Sequence, residues 1–255
     1  MKINIGKWKI IKKNKILGQG GSGNVSECYL DNPINRYAIK QLRYEKSGRK
    51  KRFEIEIETN LFSKDKEDFY KTMPMIDYDK DEYNWYVSEI GVPSLKYIND
   101  NNLNPFEILV LYSDFLKGIK ELHKKNIYHR DIKPDNILFY RDSLRIIDFG
   151  IAYNKNINRY VDITEKYDNK QLGAKFTMAP EMRRNPSKAN PLKADIYSLI
   201  KTLWILISGN IYCFDGQYNP KYHSLKKYFN NIHIIDIDIF DEMLFKCTSD
   251  IPEER

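Results

Sequence analysis

The stretch that decides the fold covers residues 127–150 and reads I-Y-H-R-D-I-K-P-D-N-I-L-F-Y-R-D-S-L-R-I-I-D-F-G. Two apolar runs, at 137–139 and 144–147, are separated by a short polar turn, a pattern typical of a β-hairpin. Asn136 precedes the first run and Asp148 follows the second. Because the strands of a hairpin are antiparallel, the sequence predicts that these two side chains lie at the same end of the hairpin.

The polar side chains of this stretch suit one kind of chemistry. Asp131, Asn136 and Asp148 stand at intervals of five and twelve residues, with Lys133 between the first two. An aspartate can orient an attacking hydroxyl and take its proton, and a lysine can steady a moving phosphoryl group. An asparagine and a second aspartate can hold a divalent metal on phosphates. The set therefore predicts phosphoryl transfer.

A glycine pattern near the amino terminus points to phosphate as well. Gly18, Gly20 and Gly23 fall as G-x-G-x-x-G, with Val25 two places on. Glycines let backbone N–H groups approach phosphates closely. Alone the motif is weak, because it also opens dinucleotide-binding folds. Here β-like runs lie on both sides and no helical pattern follows directly, which favours a hairpin over the phosphates.

In combination these motifs resemble the eukaryotic-like serine/threonine protein kinases, whose H-R-D-x-K-P-x-N and D-F-G motifs are intact here and correctly ordered. The resemblance runs from Gly18 to Arg255. It implies an α+β, two-lobed protein kinase fold. Residues 1–91 are expected to form a small, mainly antiparallel β lobe with one helix, and residues 92–255 a larger, mainly helical lobe. Since the sequence stops at I-P-E-E-R, we expect the last helix of that lobe to be absent.

The resemblance also implies ATP and Mg²⁺ as cofactors. Asp131 takes the role of catalytic base, Lys133 stabilises phosphate charge, and Asn136 and Asp148 bind Mg²⁺. Lys40, in A-I-K, is expected to grip the α and β phosphates and to pair with a glutamate on the following helix. The residues that the resemblance places around ATP are Gly18, Gly20, Gly23, Val25, Ala38, Lys40, Glu89, Gly91 and Leu138.

The glutamate that pairs with Lys40 has three candidates. They are Glu54, Glu56 and Glu58, in the segment F-E-I-E-I-E-T-N-L-F. At about 100° per residue, the apolar residues of this helix cover an arc that includes Glu58, whereas Glu56 lies on the opposite face. We therefore predict Glu58 as the partner, with Glu56 as the alternative.

Several other positions are expected to support the site. Residues 105–124 form an amphipathic pattern typical of a core helix. His129 is expected to pack beneath the D-F-G motif and not to act as a base. Glu181, in the A-P-E box, is expected to pair with Arg255. Asp195 is expected to begin a buried helix and to cap the backbone of residues 129–136, which resemble the catalytic loop of the family and are given that name below.

Composition bounds the class of protein. With 255 residues and 42% hydrophobic content, the chain can bury a substantial core. The most apolar long window, 198–212, is interrupted by Lys201 and is shorter than the roughly 20 residues of a membrane helix. No apolar secretory segment begins the chain. We expect a cytoplasmic protein without a membrane segment, in which Cys28, Cys213 and Cys247 are thiols.

The net charge of +7 comes from 42 basic and 35 acidic residues. Ordinary solvated surface explains this excess, and a nucleotide triphosphate also favours positive surroundings. A nucleic acid is therefore not expected as a partner. The sequence leaves the oligomeric state unknown.

The function that the resemblance implies is ATP-dependent transfer of the γ-phosphoryl group to Ser/Thr hydroxyls of protein substrates, with autophosphorylation. Lys133 favours these hydroxyls, because tyrosine kinases differ at this place. Gly173-Ala174 stands where Ser/Thr kinases of the family have a threonine, which predicts reduced activity. A catalytically weak or silent scaffold is therefore the alternative. A small-molecule phosphotransferase is disfavoured, because it would lack the A-P-E box and the glycine-rich loop.

Overall fold

The computed structural model describes residues 4–10, 16–19, 23–43, 47–157, 176–229 and 236–255. Structural statements below concern these residues.

The small lobe is built on an antiparallel sheet. Its described strands are β1 (Asn4–Ile5), β2 (Trp8–Ile10), β3 (Ile16–Gln19), β4 (Gly23–Tyr29), β5 (Tyr37–Leu42), β6 (Met75–Tyr78) and β7 (Trp85–Ser88). Their spatial order is β1-β2-β4-β5-β7-β6, and β3 also pairs with β4. The strand that carries Lys40 therefore lies between β4 and β7, inside the sheet.

A long helix, α1 (Ser47–Ser63), follows β5, and a short helix, α2 (Glu67–Tyr70), comes after it. Two apolar clusters lie on opposite faces of the sheet. One contains Ile39 and Val87, and the other joins Phe53 of α1 to Tyr86 of β7. Because side chains alternate along a strand, Lys40 lies on the same face as Tyr86, towards α1.

The large lobe is mainly helical. Its described helices are α3 (Ser94–Asp100), α4 (Pro105–Lys124), α5 (Pro180–Arg184), α6 (Pro191–Ser208), α7 (Pro220–His223) and α8 (Ile237–Cys247). Its short strands are β8 (Val92–Pro93), β9 (Ile127–Tyr128), β10 (Ile137–Tyr140), β11 (Ser143–Ile146) and β12 (Tyr153–Asn154). One large apolar core includes side chains of α4, α6 and the β10–β11 hairpin.

The ends of the two long core helices follow from local chemistry. The Asn104 side chain accepts hydrogen bonds from the N–H groups of Phe106 and Glu107, and Glu107 accepts one from the Asn104 N–H. This capping box begins α4 at Pro105, where the amphipathic pattern predicts it. Gly209 ends α6 with φ +67°, a conformation that glycine adopts without strain.

The predicted hairpin is present. Strands β10 and β11 pair antiparallel, with Ile137 opposite Ile146. Beyond the last pair, the Ile147 N–H donates to the Asn136 carbonyl over 2.9 Å. Asn136 and Asp148 therefore flank the same end of the hairpin, as the sequence predicts.

This architecture agrees with the predicted two-lobed α+β fold. Cys28 and Cys213 are buried and Cys247 is half-buried, and all three are free thiols. Among the described residues, no helix has both the length and the apolar character that crossing a bilayer requires.

Candidate active site

Lys40 is the centre of a charged cluster between the sheet and α1. Its Nζ donates to both carboxylate oxygens of Glu56, at 2.7 and 2.8 Å, and to Oδ1 of Asp148 at 3.0 Å. Lys40 is 6% exposed and Glu56 is fully buried. The lysine therefore joins the small lobe to the end of the hairpin in the large lobe.

The charges of this cluster depend on one another. Burial by itself would lower the pKa of the Lys40 ammonium, but the carboxylates of Asp148 and Glu56 raise that pKa above its ordinary value. Burial would raise the pKa of Asp148, and the Lys40 charge instead holds it below its ordinary value. Burial raises the pKa of Glu56 against the opposing effect of Lys40. The ammonium and the Asp148 carboxylate are thus both ionised at neutral pH.

A second cluster lies on the catalytic loop. Lys133 Nζ donates to Asp131 Oδ2 at 2.8 Å, and Asn136 Nδ2 donates to the same oxygen at 3.0 Å and to the Asp131 carbonyl at 2.8 Å. Burial raises the pKa of Asp131, while the Lys133 ammonium opposes the rise. An aspartate with an elevated pKa, held by two donors, is suited to accept a proton.

The two clusters face one another. The charge of Lys133 helps to lower the pKa of Asp148, as does that of Lys40, and Asp148 in turn acts on Asp131. The bond from Ile147 to Asn136 fixes the two loops side by side. The structure therefore brings together Lys40, Asp131, Lys133, Asn136 and Asp148.

The backbone of the catalytic loop is held from below by α6. The fully buried Asp195 accepts the N–H groups of His129 and Arg130, at 2.8 and 2.7 Å, and the ring of His123 at 2.9 Å. Arg130 has φ +68°, which is uncommon for a residue with a side chain. These bonds to Asp195 stabilise the strained turn that presents Asp131, and they confirm the expected capping role.

His129 has a structural role. Its Nε2 lies 2.9 Å from the Ile147 carbonyl, which can only accept, so this nitrogen carries the proton. Its Nδ1 then accepts the Asp131 N–H at 3.3 Å. The ring also packs edge-on against Phe149, at 4.9 Å between centroids. Both ring nitrogens are occupied, so the geometry supports the expectation that His129 is not the base.

The glycine-rich segment forms part of a hairpin, because β3 pairs with β4 on either side of it. A Cβ added at Gly23 would lie 2.4 Å from the Gln41 carbonyl oxygen, so only glycine fits there. A Cβ at Gly18 would meet only Val25, at 4.0 Å, so packing does not require glycine at that place. Gly20 lies outside the described residues.

The segment that joins the lobes lies against the hairpin. Ala38 pairs with Ser88 across β5 and β7, and the Glu89 N–H donates to the Pro74 carbonyl at 3.1 Å. A Cβ at Gly91 would come within 2.8 Å of the Leu138 Cβ. Gly91 and Leu138 are therefore in close contact beside the two clusters.

Below the site, Arg255 donates to both carboxylate oxygens of Glu181, at 2.5 and 3.0 Å. The predicted pair is thus present. Its bidentate geometry ties α5 to the last described residue.

Comparison with known proteins agrees with this geometry. A family model described as the protein kinase domain matches residues 11–254. The chain belongs to the protein kinase family. The predicted family and fold are confirmed.

Relatives of this kinase domain are distant. Serine/threonine-protein kinase PrkC of Bacillus subtilis is 30% identical over 225 residues, which are 83% of this chain and 32% of the relative. Serine/threonine-protein kinase CLA4 of Candida albicans is 34% identical over 200 residues, 75% of this chain and 19% of the relative. Dual specificity protein kinase Ttk of Danio rerio is 27% identical over 257 residues, 94% of this chain and 25% of the relative. The chain thus spans a fifth to a third of their lengths.

The predicted partner of Lys40 was wrong. Glu56, the alternative, makes the ion pair, and Glu58 is half-buried on another side of α1. The prediction assumed that one apolar face marks the buried side of the helix. In the kinase domain, α1 is buried on several sides, including the side that carries the polar residues Glu56 and Asn60. An apolar arc therefore does not identify the face towards Lys40.

Two contacts of the kinase domain were not anticipated from the sequence. The Tyr86 hydroxyl donates to Glu56 at 2.7 Å, and the Ser94 hydroxyl donates to the Pro134 carbonyl, in the catalytic loop, at 3.1 Å. A tyrosine in a strand and a serine in the first position of a helix carry no signal for such roles. Gly173 and Ala174 lie outside the described residues.

Proposed function

We propose that this kinase domain transfers the γ-phosphoryl group of ATP to Ser/Thr hydroxyls of protein substrates, including its own. The observation that carries the proposal is the convergence of Lys40, Asp131, Lys133, Asn136 and Asp148 between the lobes, with distances of 2.7–3.0 Å inside each cluster. A base, two cations and two oxygen donors for metal are the parts that phosphoryl transfer uses.

The residues around the cleft fit a nucleotide. A Cβ added at Gly18 would meet Val25 alone among the described residues, at 4.0 Å, so no close packing occupies that position, where the resemblance places phosphates against the hairpin backbone. As the resemblance implies, the adenine ring would lie between Leu138 on one side and Val25 and Ala38 on the other. We assign the backbone of Glu89 and Gly91 to the adenine edge, as the resemblance implies. Gly20 completes this set by sequence alone.

The donor set also fits Mg²⁺. Asn136 uses its amide nitrogen to bind Asp131, so its oxygen is left for a cation, and Asp148 adds an ionised carboxylate. Among the described residues no group of three His, Cys, Asp or Glu side chains forms a complete metal cage. Mg²⁺ does not need one, because it takes one or two protein ligands together with phosphate oxygens and water. When bound, the ion supplies charge neutralisation on the transferring group.

The remaining chemistry belongs to the side chains. Asp131 orients the substrate hydroxyl and takes its proton, with Lys133 and Asn136 holding the carboxylate in place. Lys133 also places positive charge beside the phosphoryl group that is being transferred. Lys40 holds the phosphates that do not move, and Glu56 holds Lys40.

Two observations support Ser and Thr hydroxyls as acceptors. Lys133 lies two residues after Asp131, the arrangement that the resemblance associates with these substrates. The relatives named above are called serine/threonine-protein kinases or, in one case, a dual specificity protein kinase. The second name makes tyrosine the acceptor class to compare with Ser and Thr.

The test is incubation with γ-labelled ATP, with and without Mg²⁺, and with protein and peptide acceptors that differ only in Ser, Thr or Tyr. We expect label on Ser and Thr that depends on Mg²⁺. Asp131→Asn should abolish it, whereas Asp142→Asn, in the exposed turn of the hairpin, should not. Equal labelling by wild type and Asp131→Asn would show that another group is the base.

The silent scaffold is separated from an enzyme by the same assay. It rests on Ala174, in a segment outside the described residues. Nucleotide binding without label transfer, in wild type and Asp142→Asn alike, would favour the scaffold over the enzyme.

A further inference from the structure

Tyr86 lies next to the ion pair of the active site but belongs to none of its motifs. In the sheet it stands directly opposite Lys40, across strands β7 and β5. Directly opposite residues have neighbouring side chains on one face of the sheet, here the face covered by α1. The Tyr86 hydroxyl donates to Glu56 Oε1 over 2.7 Å, and Tyr86 is 8% exposed.

Two side chains, Lys40 and Tyr86, donate hydrogen bonds to the buried carboxylate of Glu56. Oε1 accepts from Lys40 at 2.7 Å and from Tyr86 at 2.7 Å, while Oε2 accepts from Lys40 at 2.8 Å. A fully buried carboxylate is costly unless it is paired and hydrogen-bonded. Among the residues that the structure describes, Tyr86 therefore supplies the side-chain hydrogen bond to Glu56 that is independent of Lys40.

The tyrosine is fixed as a donor. Burial and the nearby charge of Glu56 raise the pKa of Tyr86 well above its ordinary value, so the hydroxyl keeps its proton. Its ring packs against Phe53, one turn before Glu56 on α1, with 5.7 Å between ring centroids. The ring thus contacts the same helix that its hydroxyl binds.

Lys40, by contrast, has competing partners. It has three N–H donors, and it already divides them between Glu56 and Asp148. A phosphate that binds Lys40 competes with Glu56 and Asp148 for these donors. The bond from Tyr86 to Oε1 of Glu56 is not part of that competition.

We propose that Tyr86 is a positioning residue, whose hydroxyl anchors the Glu56 carboxylate and thereby sets the position of Lys40 for the nucleotide phosphates. This inference rests on the proposed function. Without the hydroxyl, Glu56 keeps only its bonds to Lys40 among the described side chains, so the carboxylate and the ammonium are positioned less firmly.

The test compares two matched variants. Tyr86→Phe removes this hydroxyl, and Tyr112→Phe removes another buried hydroxyl, which donates to the Leu199 carbonyl at 2.7 Å in the large lobe. We expect Tyr86→Phe to lower kcat about tenfold with a change in KM for ATP below about threefold. Tyr112→Phe should leave both constants unchanged. Both variants should lower Tm by similar amounts, because each loses one buried hydrogen bond.

A double-mutant cycle with Glu56→Gln shows whether Tyr86 acts through Glu56. In the Glu56→Gln background, Tyr86→Phe should lower kcat less than about twofold. If Tyr86→Phe lowers Tm but not kcat, or if its effect on kcat is the same in both backgrounds, the positioning role is wrong.

The controls separate this inference from the proposed function. Activity in wild type and Tyr112→Phe, without a specific loss in Tyr86→Phe, overturns the inference alone. Absence of phosphoryl transfer in wild type and Tyr112→Phe removes the proposed function and, with it, the reaction that Tyr86 would serve.

Discussion

Lys40 and Lys201 are two of the buried lysines of this domain, and their surroundings differ in kind. Lys40 is 6% exposed and binds two carboxylates, whereas Lys201 of α6 is 1% exposed and binds backbone carbonyls. Lys201 Nζ donates to the Phe214 carbonyl and, at 3.0 Å, to that of Gly216. It also lies 3.7 Å from the centroid of the Phe214 ring.

The partners decide the charge of each amine. Carboxylates raise the pKa of Lys40 although burial opposes them. Burial lowers the pKa of Lys201 to about 8, because carbonyls and rings stabilise the ammonium less than a counter-ion does. The comparison shows that burial alone does not mark a functional lysine. What distinguishes Lys40 is that its ammonium is paired with two carboxylates, the arrangement from which we propose that it binds phosphate.

The same substitution at both lysines gives the largest contrast. Lys40→Met should lower phosphoryl transfer by about 10³-fold, because a cation is lost from the phosphates. It should also lower the free energy of unfolding by about 3 kcal/mol, since Glu56 stays buried without its cation. Rate measurements and denaturant titration check both effects. Full activity in Lys40→Met would mean that Lys40 does not contact the nucleotide.

The partner of Lys40 can be tested by two changes on one helix. Glu56→Gln should lower kcat by about 10²-fold, because Lys40 loses the carboxylate that orients it. Glu58→Gln, two residues on, should stay within about twofold of wild type. Measuring kcat of both variants over the same series of ATP concentrations shows which glutamate is the partner of Lys40. A greater loss for Glu58→Gln would reverse the pairing.

Lys201→Met should affect stability and not chemistry. The Phe214 carbonyl loses its buried donor, while the Gly216 carbonyl still accepts from the Tyr197 hydroxyl. We expect the free energy of unfolding to fall by about 2 kcal/mol, measured by denaturant titration. At a temperature well below Tm, kcat should equal that of wild type. A large loss of kcat in the folded variant would give Lys201 a role that the geometry does not suggest.

The last comparison is a pH dependence of stability that is specific to Lys201. Its folded-state pKa, about 8, lies below the ordinary value of 10.5, so between these values the unfolded chain binds more protons. Stability from this residue therefore rises with pH across that window, by at most about 1.4 kcal/mol per pH unit. Lys40 has a raised pKa, so its contribution is fully present there.

The free energy of unfolding is measured for wild type and Lys201→Met from pH 7 to 10. The contribution of Lys201 is the difference between the two proteins at each pH. The comparison cancels the titration of groups that both proteins share. A difference that is constant with pH would show that Lys201 keeps its ordinary pKa.

Features that depend on neighbours in sequence were predictable. The β10–β11 hairpin follows from two apolar runs and a polar turn, and α4 spans the predicted residues because Asn104 and Pro105 fix its start. Both elements are read directly from the order of the chain. The pairs made by Glu181 and Asp195 join distant parts of the chain, and they were expected because the motifs resemble those of the family.

Features that depend on packing were not. In the sequence Lys201 interrupts an apolar window, whereas in the structure α6 is buried on all sides and the loop at 214–216 supplies acceptors for the amine. The sequence prediction put Glu56 on the face of α1 opposite its apolar residues. The periodicity of a helix does not show which other elements of the fold pack against that face.

The sequence by itself determined the family, the catalytic loop and the hairpin that carries Asn136 and Asp148, since these are short-range patterns of residue type and spacing. Only the tertiary structure decided which glutamate holds Lys40 and that Tyr86 holds the glutamate. The physical reason is that these contacts join β5, α1 and β7, and the side of a buried helix that faces a charge is set by what packs around it.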